Sequence, residues 1–505
     1  MERRDTQGIH ILDAMAGYAK GARLGFHMPG HQQGRGLPAV LSDLIKDHGL
    51  ALDLTELPGL DNLSAPASSI DRSRRALADL TGAGETYYLV NGATGGLEAA
   101  MLAMSDAATT TLIPSHCHTA IISGLILTGS MPVILPCKMD AQWGLPIGVD
   151  KAATEAFLAD GSDDEALWIS LNPTYHGAFA DLAWEQGILA AHPGWLWLAD
   201  EAHGAHLPYV KPYDAGQRPS ARRLAPLSAL RMDAHVVVHS IHKMGTGFTQ
   251  TGVLHCNHPG VASRVQQALN ITQSSSPSYL LLASLDAWRL FLEEGGAGRL
   301  QEAEDLAMDI AGQIRGLGGY RLWQDEIQAG CFTDPRKITL SASPIGLDGY
   351  ALADLLSREQ GIDVELAAAG YCLLIVNVGH TAEDAARLVG ALRTIQKQRI
   401  GAKEKTPAAS GIDTTIPERQ TPWSPTITPR EAFFAKRRRL RLSEARGSIA
   451  AAAVTPYPPG IPLLYPGMEV TGDAVEAIES IKNTGQSCAG VVEVDGQLFV
   501  DIVDD

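Results

Sequence analysis

The sequence predicts an α/β protein in which a large domain with a parallel-rich sheet precedes a smaller α/β domain and a C-terminal α+β module. Its 505 residues exceed what one hydrophobic core usually organises, so two or three domains are expected. From about Ser68 to Leu292, helical patterns rich in Ala and Leu alternate with short apolar runs, which is typical of βαβ units. Residues 401–429 then turn to Lys, Thr, Ser and Pro with little periodicity, which predicts a linker.

The smaller domain is predicted from two helical patterns and two strand-like runs that follow Gly295. These cover residues 300–317, 337–340, 350–360 and 372–376. The expected units are an N-terminal segment (1–67), the large domain (68–294), the small domain (295–400), the linker (401–429) and the C-terminal module (430–505).

The charge balance favours a small-molecule partner over nucleic acid. The chain has 40 Lys and Arg against 57 Asp and Glu, a formal net charge of −17, and its only basic run covers residues 436–439. A basic substrate is compatible with this sign. No apolar stretch reaches signal-peptide length or the roughly 20 residues of a membrane helix, so we expect a soluble cytoplasmic protein without a membrane partner.

The cysteines predict neither a disulfide framework nor a zinc site, and no metal is expected. They show no CxxC or CxxH spacing, which is typical of buried thiols in a reducing compartment. The six are Cys117, Cys137, Cys256, Cys331, Cys372 and Cys488.

A carboxylate and a lysine each follow an apolar run. Asp200 comes after residues 195–198, and Lys243 ends a Ser-Ile-His-Lys motif that comes after residues 234–238. Short apolar runs of this kind suit buried strands, and ligands of open α/β sheets collect at the carboxyl ends of strands. The two side chains are therefore expected at one site. Alternatively, Asp200 caps a helix and Lys243 is an ordinary solvated lysine.

This pair matches the needs of pyridoxal 5'-phosphate (PLP), which requires an amine to hold its aldehyde and an anion to keep its ring nitrogen protonated. Lys243 would be the amine. Asp200 would favour the protonated, electron-withdrawing ring.

A glycine-rich turn follows the strand-like residues 88–90. It reads Asn-Gly-Ala-Thr-Gly-Gly from Asn91 and leads into a helical pattern, so its backbone N–H groups and the Thr94 hydroxyl could hold a phosphate. The turn is neither GxxxxGK[ST] nor GxGxxG, which disfavours nucleotide triphosphates and dinucleotides. An ordinary glycine-containing βα turn is the alternative.

Three further segments end at positions suited to a site. His118 precedes a helical pattern and could stack on a cofactor ring, or it is simply a surface or core histidine. Residues 172–177 close the apolar run 167–171. The hydroxyl-rich loop 272–279, with Ser275, suits an anion, and its alternative is a helix cap.

Taken in order, these segments closely resemble the PLP-dependent Orn/Lys/Arg decarboxylases of the aspartate-aminotransferase fold (fold type I). The resemblance covers nearly the whole chain. Its further motifs are His-Met-Pro-Gly-His at 27–31, Asp-Leu-Thr-Glu-Leu-Pro-Gly-Leu-Asp-Asn-Leu at 53–63, Asp-Glu-Ala-His at 200–203, Tyr-Pro-Pro-Gly-Ile-Pro at 457–462, and Pro466, Gly467 and Glu469.

This resemblance implies three catalytic residues. Lys243 would form the Schiff base, Asp200 would pair with the ring nitrogen and His118 would stack on the ring. It also implies a set of residues around the cofactor phosphate and oxygen atoms, namely Ala93, Thr94, Gly95, Ser240, His242 and His203.

Two departures from the family pattern affect the outer site. Ala93 lacks a hydroxyl that the family turn carries and Gly96 with Leu97 replaces a polar residue, although Thr94 remains. Around His118, Ser115 stands where the family has Arg, and Thr119 begins the segment where the family has Lys-Ser.

The predicted reaction is decarboxylation of a basic amino acid. Aminotransferases of this fold hold the substrate carboxylate with an Arg late in the small domain, whereas residues 376–380 contain none. An aminotransferase, a β-eliminating lyase or a noncatalytic homologue are the alternatives. Arginine or lysine is favoured and ornithine is possible. Acidic candidates for the distal group of the substrate are Asp53, Glu56, Asp61, Glu365 and Glu469.

The resemblance also implies an assembly with shared active sites. In similar enzymes the loop that holds Ser275 reaches the phosphate of the neighbouring subunit's cofactor, so a homodimer or a dimer of dimers is expected. Only 26 residues precede His27, so the ring assembly of larger relatives is not expected. A role in making a polyamine precursor is the predicted physiology.

Overall fold

The computed structural model describes residues 21, 23–161, 163–210, 228–401, 420–457, 460–483 and 487–504. The strands of this part are, in chain order, β1 (Leu24–Phe26), β2 (Glu85–Leu89), β3 (Thr110–Pro114), β4 (Met131–Leu135), β5 (Cys137–Met139), β6 (Pro146–Val149), β7 (Ala166–Leu171), β8 (Leu196–Asp200), β9 (Val236–Ser240), β10 (Gly252–Cys256), β11 (Arg321–Leu322), β12 (Lys337–Ser341), β13 (Ile362–Val364), β14 (Leu366–Ala368), β15 (Tyr371–Ile375), β16 (Arg437–Arg441), β17 (Thr455–Tyr457), β18 (Ser487–Ala489), β19 (Val491–Val494) and β20 (Gln497–Val503).

The α-helices of the same part are α1 (Ala39–His48), α2 (Ser69–Thr81), α3 (Gly92–Met104), α4 (Thr119–Thr128), α5 (Lys151–Ala159), α6 (Leu182–Ala191), α7 (Ile241–Met244), α8 (Pro259–Thr272), α9 (Tyr279–Phe291), α10 (Ala297–Leu317), α11 (Trp323–Glu326), α12 (Gly349–Gln360), α13 (Ala382–Gly401), α14 (Pro429–Phe434) and α15 (Gly472–Asn483).

Seven strands form the central sheet of the large domain, in the order β2-β10-β9-β8-β7-β3-β4. Strands β9, β8, β7, β3 and β4 run parallel, and β10 is antiparallel to both of its neighbours. One core lies between the sheet and helices α3, α4 and α8, and a second lies on the opposite face with α6. Because both faces are covered, the strands read as continuous apolar runs. The predicted parallel-rich α/β fold is confirmed.

The smaller domain is a four-stranded antiparallel sheet, β11-β12-β15-β14. Helices α10, α12 and α13 bury residues such as Ile310, Leu356 and Leu392 against it. The N-terminal segment predicted as a separate unit contributes β1 here, because β1 pairs in parallel with β13. This contact joins residues more than 300 positions apart, which no local pattern reveals.

The described residues of the C-terminal module share a core with the large domain. Leu464, Tyr465 and Ile478 belong to the same buried cluster as Met101 of α3 and Leu125 of α4. Trp423, inside the predicted linker, also forms an isolated antiparallel bridge with the large domain at strand β4. Residues 402–419 of that linker lie outside the described residues. The module is therefore packed onto the large domain rather than tethered to it.

Within the described part of the chain, no helix combines the length and the apolar character that crossing a membrane requires. All six cysteines are free thiols, and four of them are buried.

The shared core predicts that the C-terminal module and the large domain unfold together. Ile478→Ala should lower the free energy of unfolding by about 2–5 kcal/mol, because it leaves a cavity in that core. Denaturant unfolding followed by tryptophan fluorescence measures this, since most tryptophans lie in the large domain. The matched control is Val494→Ala at a half-exposed position, which should change little. A separate early transition that leaves the large domain folded would contradict the shared core.

Candidate active site

A cavity of about 240 Å³ lies at the carboxyl ends of β3, β7, β8 and β9. Each of these strands delivers side chains to its wall as the chain leaves the sheet. The N-terminus of α3 forms another side. Gly460 and Ile461 of the C-terminal module also line the cavity. The parallel strands thus bring together residues that are far apart in the sequence.

Lys243 lies in the single turn of helix α7, directly after β9. Its Nζ is 3.2 Å from Nε2 of His203. Burial lowers the pKa of Lys243, and the negative charges of Asp200 and Glu365 oppose that shift. A lowered pKa enlarges the fraction of neutral amine, which is the form that attacks an aldehyde. Lys243 is therefore not an ordinary solvated lysine.

Asp200 is the last residue of β8 and is 2% exposed. One carboxylate oxygen accepts the Ala202 N–H at 3.0 Å. The charge of Asp200 raises the pKa of both Lys243 and His118, so the carboxylate acts on both side chains across the cavity. The structure brings together the anion and the amine that the sequence predicts.

His118 is the N-cap of helix α4 and lines the cavity. Its Nδ1 accepts the Ala120 N–H at 3.1 Å, so the single proton of the neutral ring is on Nε2. Burial lowers the pKa of His118 and Asp200 opposes this. The site thus contains a neutral imidazole with a fixed tautomer.

The first turn of α3 forms a cradle for an anion. The chain enters the helix through Gly92, whose φ of 69° is unfavourable for other residues. Gly92, Ala93 and Thr94 line the cavity, and Gly95 completes the turn. The Gly92 N–H already donates to the Gln250 carbonyl at 2.8 Å and the Gly95 N–H to the Asn91 carbonyl at 3.2 Å, so the N–H groups of Ala93 and Thr94 are the ones that an anion could use. The positive end of the helix dipole also lies there. This turn therefore suits a phosphate.

Ser240 and His242 line the cavity beside Lys243. Ser240 Oγ is 3.0 Å from His242 Nδ1, and the same nitrogen is 3.3 Å from the Thr251 carbonyl oxygen. Burial lowers the pKa of His242 to about 4, so its ring is neutral near pH 7. His203 is neutral as well, because burial and the nearby positive charge of Lys243 lower its pKa.

Several predicted residues lie elsewhere. Ser275 is exposed on the loop between α8 and α9 and is not among the residues that line the cavity. Asp53 and Glu469 are exposed. The Glu56 carboxylate accepts the Leu63 N–H at 2.9 Å. The structure does not bring these four side chains into the cavity of their own chain.

Asp61 is buried, and its carboxylate binds backbone N–H groups of its own segment. Its carboxylate accepts backbone N–H groups of the segment that starts α2, including Ser68 at 2.8 Å and Ile70 at 2.9 Å. Burial alone would raise the pKa of Asp61, but these backbone hydrogen bonds lower it to about 2. The carboxylate is used to hold the loop and the helix start.

Glu365 is the acidic candidate that contacts a cavity-lining residue. One carboxylate oxygen accepts the Tyr175 hydroxyl at 2.5 Å, and the other accepts the Met28 N–H at 2.9 Å. Tyr175 lines the cavity. Glu365 therefore lies one side chain behind the cavity wall.

The residue predictions missed part of the wall. Thr174, Tyr175, His176, His116, Cys117 and Ile461 also line the cavity. The sequence carried a signal for three of them, because residues 172–177 end a strand. Ile461 belongs to the motif at 457–462, but the sequence did not place that motif at the cavity, since its position depends on how the C-terminal module packs.

An arginine does lie close to residues 376–380, although that segment contains none. Arg336 is fully buried, and its Nη2 donates to the Met244 carbonyl at 2.9 Å and to the Asn377 side-chain oxygen at 3.3 Å. Arg336 is not among the residues that line the cavity. Its guanidinium thus binds groups of the protein next to residues 376–380 and does not face the cavity.

The donor set fits PLP. A buried amine, a buried carboxylate, an imidazole and the N-terminus of helix α3 all line one cavity, and Nδ1 of the buried His203 has no hydrogen-bond partner among the described atoms. The residues that would hold the cofactor are Lys243, Asp200, His118, Thr94 and Ser240. In the described part of the chain, no group of three or more His, Cys, Asp or Glu is arranged to hold a metal ion.

Comparisons with known proteins agree with this chemistry. The major-domain model of the Orn/Lys/Arg decarboxylases matches residues 10–325, and the C-terminal-domain model of that family matches residues 398–496. The chain is 31% identical to arginine decarboxylase of Bacillus subtilis, over 90% of this chain and 89% of the relative. It is 28% identical to arginine decarboxylase of Bacillus anthracis, over 97% and 96%.

Among solved structures, lysine decarboxylase A from Pseudomonas aeruginosa has the same fold. The TM-score is 0.74 at 20% identity, over 98% of this chain and 82% of that one. Because the major-domain model matches more than half of the sequence and the Bacillus subtilis relative is 31% identical over 90% of it, this chain belongs to the Orn/Lys/Arg decarboxylase family.

Proposed function

We propose that this PLP-dependent decarboxylase acts on arginine and releases CO₂ and the corresponding amine. The observation that carries the proposal is the buried Lys243 amine that shares a cavity with Asp200. The choice of arginine is supported by the two relatives of that name at 31% and 28% identity, whereas the similarity to a lysine decarboxylase at 20% identity concerns the fold alone.

When bound, PLP supplies the electron sink for the bond that breaks at the substrate Cα. Lys243 provides the amine that holds the cofactor, and its lowered pKa favours the reactive neutral form. The Asp200 carboxylate would keep a proton on the ring nitrogen. The neutral His118 ring would contact the cofactor ring, and the α3 turn with Thr94 would hold the phosphate.

The same residues can handle the proton that replaces the carboxylate. Lys243 Nζ and His203 Nε2 are 3.2 Å apart, so a proton can pass between them. We assign to Lys243 the delivery of that proton to the substrate Cα, with His203 as its neighbour in the exchange. Orientation of the substrate selects the bond that breaks, and the cavity wall sets that orientation.

Glu365 is the proposed partner of the substrate's distal cation. A carboxylate offers about four acceptor positions, and the described contacts of Glu365 use two of them, with Tyr175 and Met28. A guanidinium is a planar donor that suits a carboxylate. Tyr175, on the cavity wall, guides the substrate toward Glu365.

The proposed assembly is a homodimer or a dimer of dimers in which each site uses both subunits. Ser275 supports this, because its loop is exposed and does not reach the cavity of its own chain.

The proposed setting is a reducing, cytoplasmic one, and the proposed role is supply of a polyamine precursor. Six free cysteines support a reducing compartment. The amine made from arginine has the chemistry that polyamine synthesis uses.

A substrate panel tests the activity. The purified holoenzyme should release CO₂ from arginine with a higher kcat/KM than from lysine or ornithine, and product chromatography should show the amine rather than a keto acid. Lys243→Ala should lose both the visible absorbance band and turnover, because the amine is gone. Wild-type rates in Lys243→Ala, or a keto-acid product, would overturn the assignment.

Glu365→Gln tests the distal contact. It removes a charge-assisted hydrogen bond, so KM for arginine should rise by about tenfold or more while kcat changes less. Glu469→Gln is the matched control at an exposed carboxylate and should leave KM unchanged. An unchanged KM in Glu365→Gln would assign the distal group to another residue.

Ser275→Ala tests the shared site. PLP affinity should fall although Ser275 lies outside the cavity of its own chain, and Ser487→Ala at an exposed C-terminal position should not change it. Light scattering of the holoenzyme should show a dimer or tetramer, and removal of PLP should favour dissociation because ligand binding stabilises the assembled form. A fully active monomer at assay concentration would refute the shared site.

A further inference from the structure

Lys337 is a buried lysine that belongs to the small domain but reaches the wall of the active site. It is the first residue of β12 and only 1% exposed. Its Nζ donates to the Tyr175 carbonyl at 2.8 Å and to the Thr174 carbonyl at 3.3 Å. A buried ammonium group requires such acceptors. Both acceptors belong to the loop that follows β7 and lines the cavity.

That loop is bound to the small domain along its length. The Phe179 N–H donates to the Phe332 carbonyl at 3.0 Å, and the Asp334 N–H donates to the Gly177 carbonyl at 2.8 Å. Gly177 has a φ of 99°, and a Cβ there would lie 3.2 Å from the Lys337 stem. The turn therefore closes directly on Lys337, at the contact between the two domains.

Lys337 acts on both the peptide and the ring of Tyr175. The Tyr175 carbonyl accepts the hydrogen bond from Lys337 Nζ. The centroid of the Tyr175 ring lies 5.8 Å from the same nitrogen. The Tyr175 ring then packs edge-on against His203 at 4.9 Å, and its hydroxyl donates to Glu365. Tyr175 therefore connects Lys337 to Glu365, which lies behind the cavity wall.

Nearby charges oppose the cost of burying Lys337. Burial lowers its pKa to about 7, the carboxylates Asp334 and Glu365 raise it, and the positive charge of Lys243 lowers it further. Asp334 is itself fully buried, 3.2 Å from His206.

We propose that Lys337 is a positioning residue for substrate binding: it holds the Tyr175 peptide so that the Tyr175 hydroxyl and Glu365 meet the basic end of the substrate. The inference rests on the proposed function in one respect, the assignment of that basic end to Glu365. Lys337 itself touches neither the substrate nor the reacting atoms.

The test is Lys337→Met, which keeps the volume and removes the donor. KM for arginine should rise by about tenfold or more because two buried carbonyls lose their partner and the loop relaxes, while kcat falls less than about threefold since Lys243 and Asp200 are unchanged. Lys397→Met, an exposed lysine of α13, is the matched control. The visible band of bound PLP and the thermal unfolding midpoint are recorded for each variant.

A double-mutant cycle that combines Lys337→Met with Tyr175→Phe tests whether Lys337 affects substrate binding through Tyr175. If Lys337 acts through Tyr175, the double variant should raise KM no more than the larger single variant does. Additive effects on KM, or a loss of kcat at unchanged KM, would overturn the proposal. If Lys337→Met fails to fold, Tyr175→Phe alone must show the rise in KM, and an unchanged KM there would equally overturn it. A wild-type enzyme inactive on arginine would instead refute the proposed function.

Discussion

The parallel pairing of β8 with β9 is the constraint on which the site depends. The pairing places Asp200 opposite Val238, so the carboxylate ends its strand two residues before β9 ends at Ser240. Lys243 follows in the next turn, because the chain enters α7 immediately. A shift of the pairing by one residue would turn these side chains to the opposite face of the sheet. The register of β8 against β9 therefore sets where the Asp200 carboxylate lies relative to Lys243.

Burial is the second determinant of the site's chemistry. It is the largest cause of the lowered pKa of Lys243, His203, His242 and Lys337. The positive charge of Lys243 lowers the pKa of both histidines further, and that of Lys337 lowers the pKa of His203. Carboxylates act in the opposite direction, so Asp200 and Glu365 keep a balance between a neutral, reactive amine and a charged one. The cavity thus combines neutral imidazoles with a few well-placed anions.

The site is assembled from every part of the chain that the structure describes. The large domain supplies the amine and its anion, and the small domain supplies Glu365 and Lys337. The N-terminal segment adds the Met28 N–H that binds Glu365, and the C-terminal module adds Gly460 and Ile461 to the wall. The C-terminal module shares the large domain's core. The packing of this core therefore also positions Gly460 and Ile461 in the cavity wall. The contacts that stabilise the fold also define the shape of the cavity.

The sequence by itself determined the parallel-rich α/β fold and the strand ends that carry Asp200, His118 and Lys243, because buried strands appear as apolar runs and their polar successors mark one edge of the sheet. The sequence could not decide which acidic residue lies near the cavity and could bind the distal group of the substrate. Asp61 and Glu365 are both carboxylates in family-like segments, and only the packed chain shows that backbone N–H groups surround Asp61 while Tyr175 joins Glu365 to the cavity. It also gave no sign of Lys337, because a buried lysine looks like any other until long-range contacts supply its acceptors. Local patterns fix which residues end each strand, whereas burial and hydrogen-bond partners exist only in the folded chain, whether the partner is near in sequence, as for Asp61, or far away, as for Glu365.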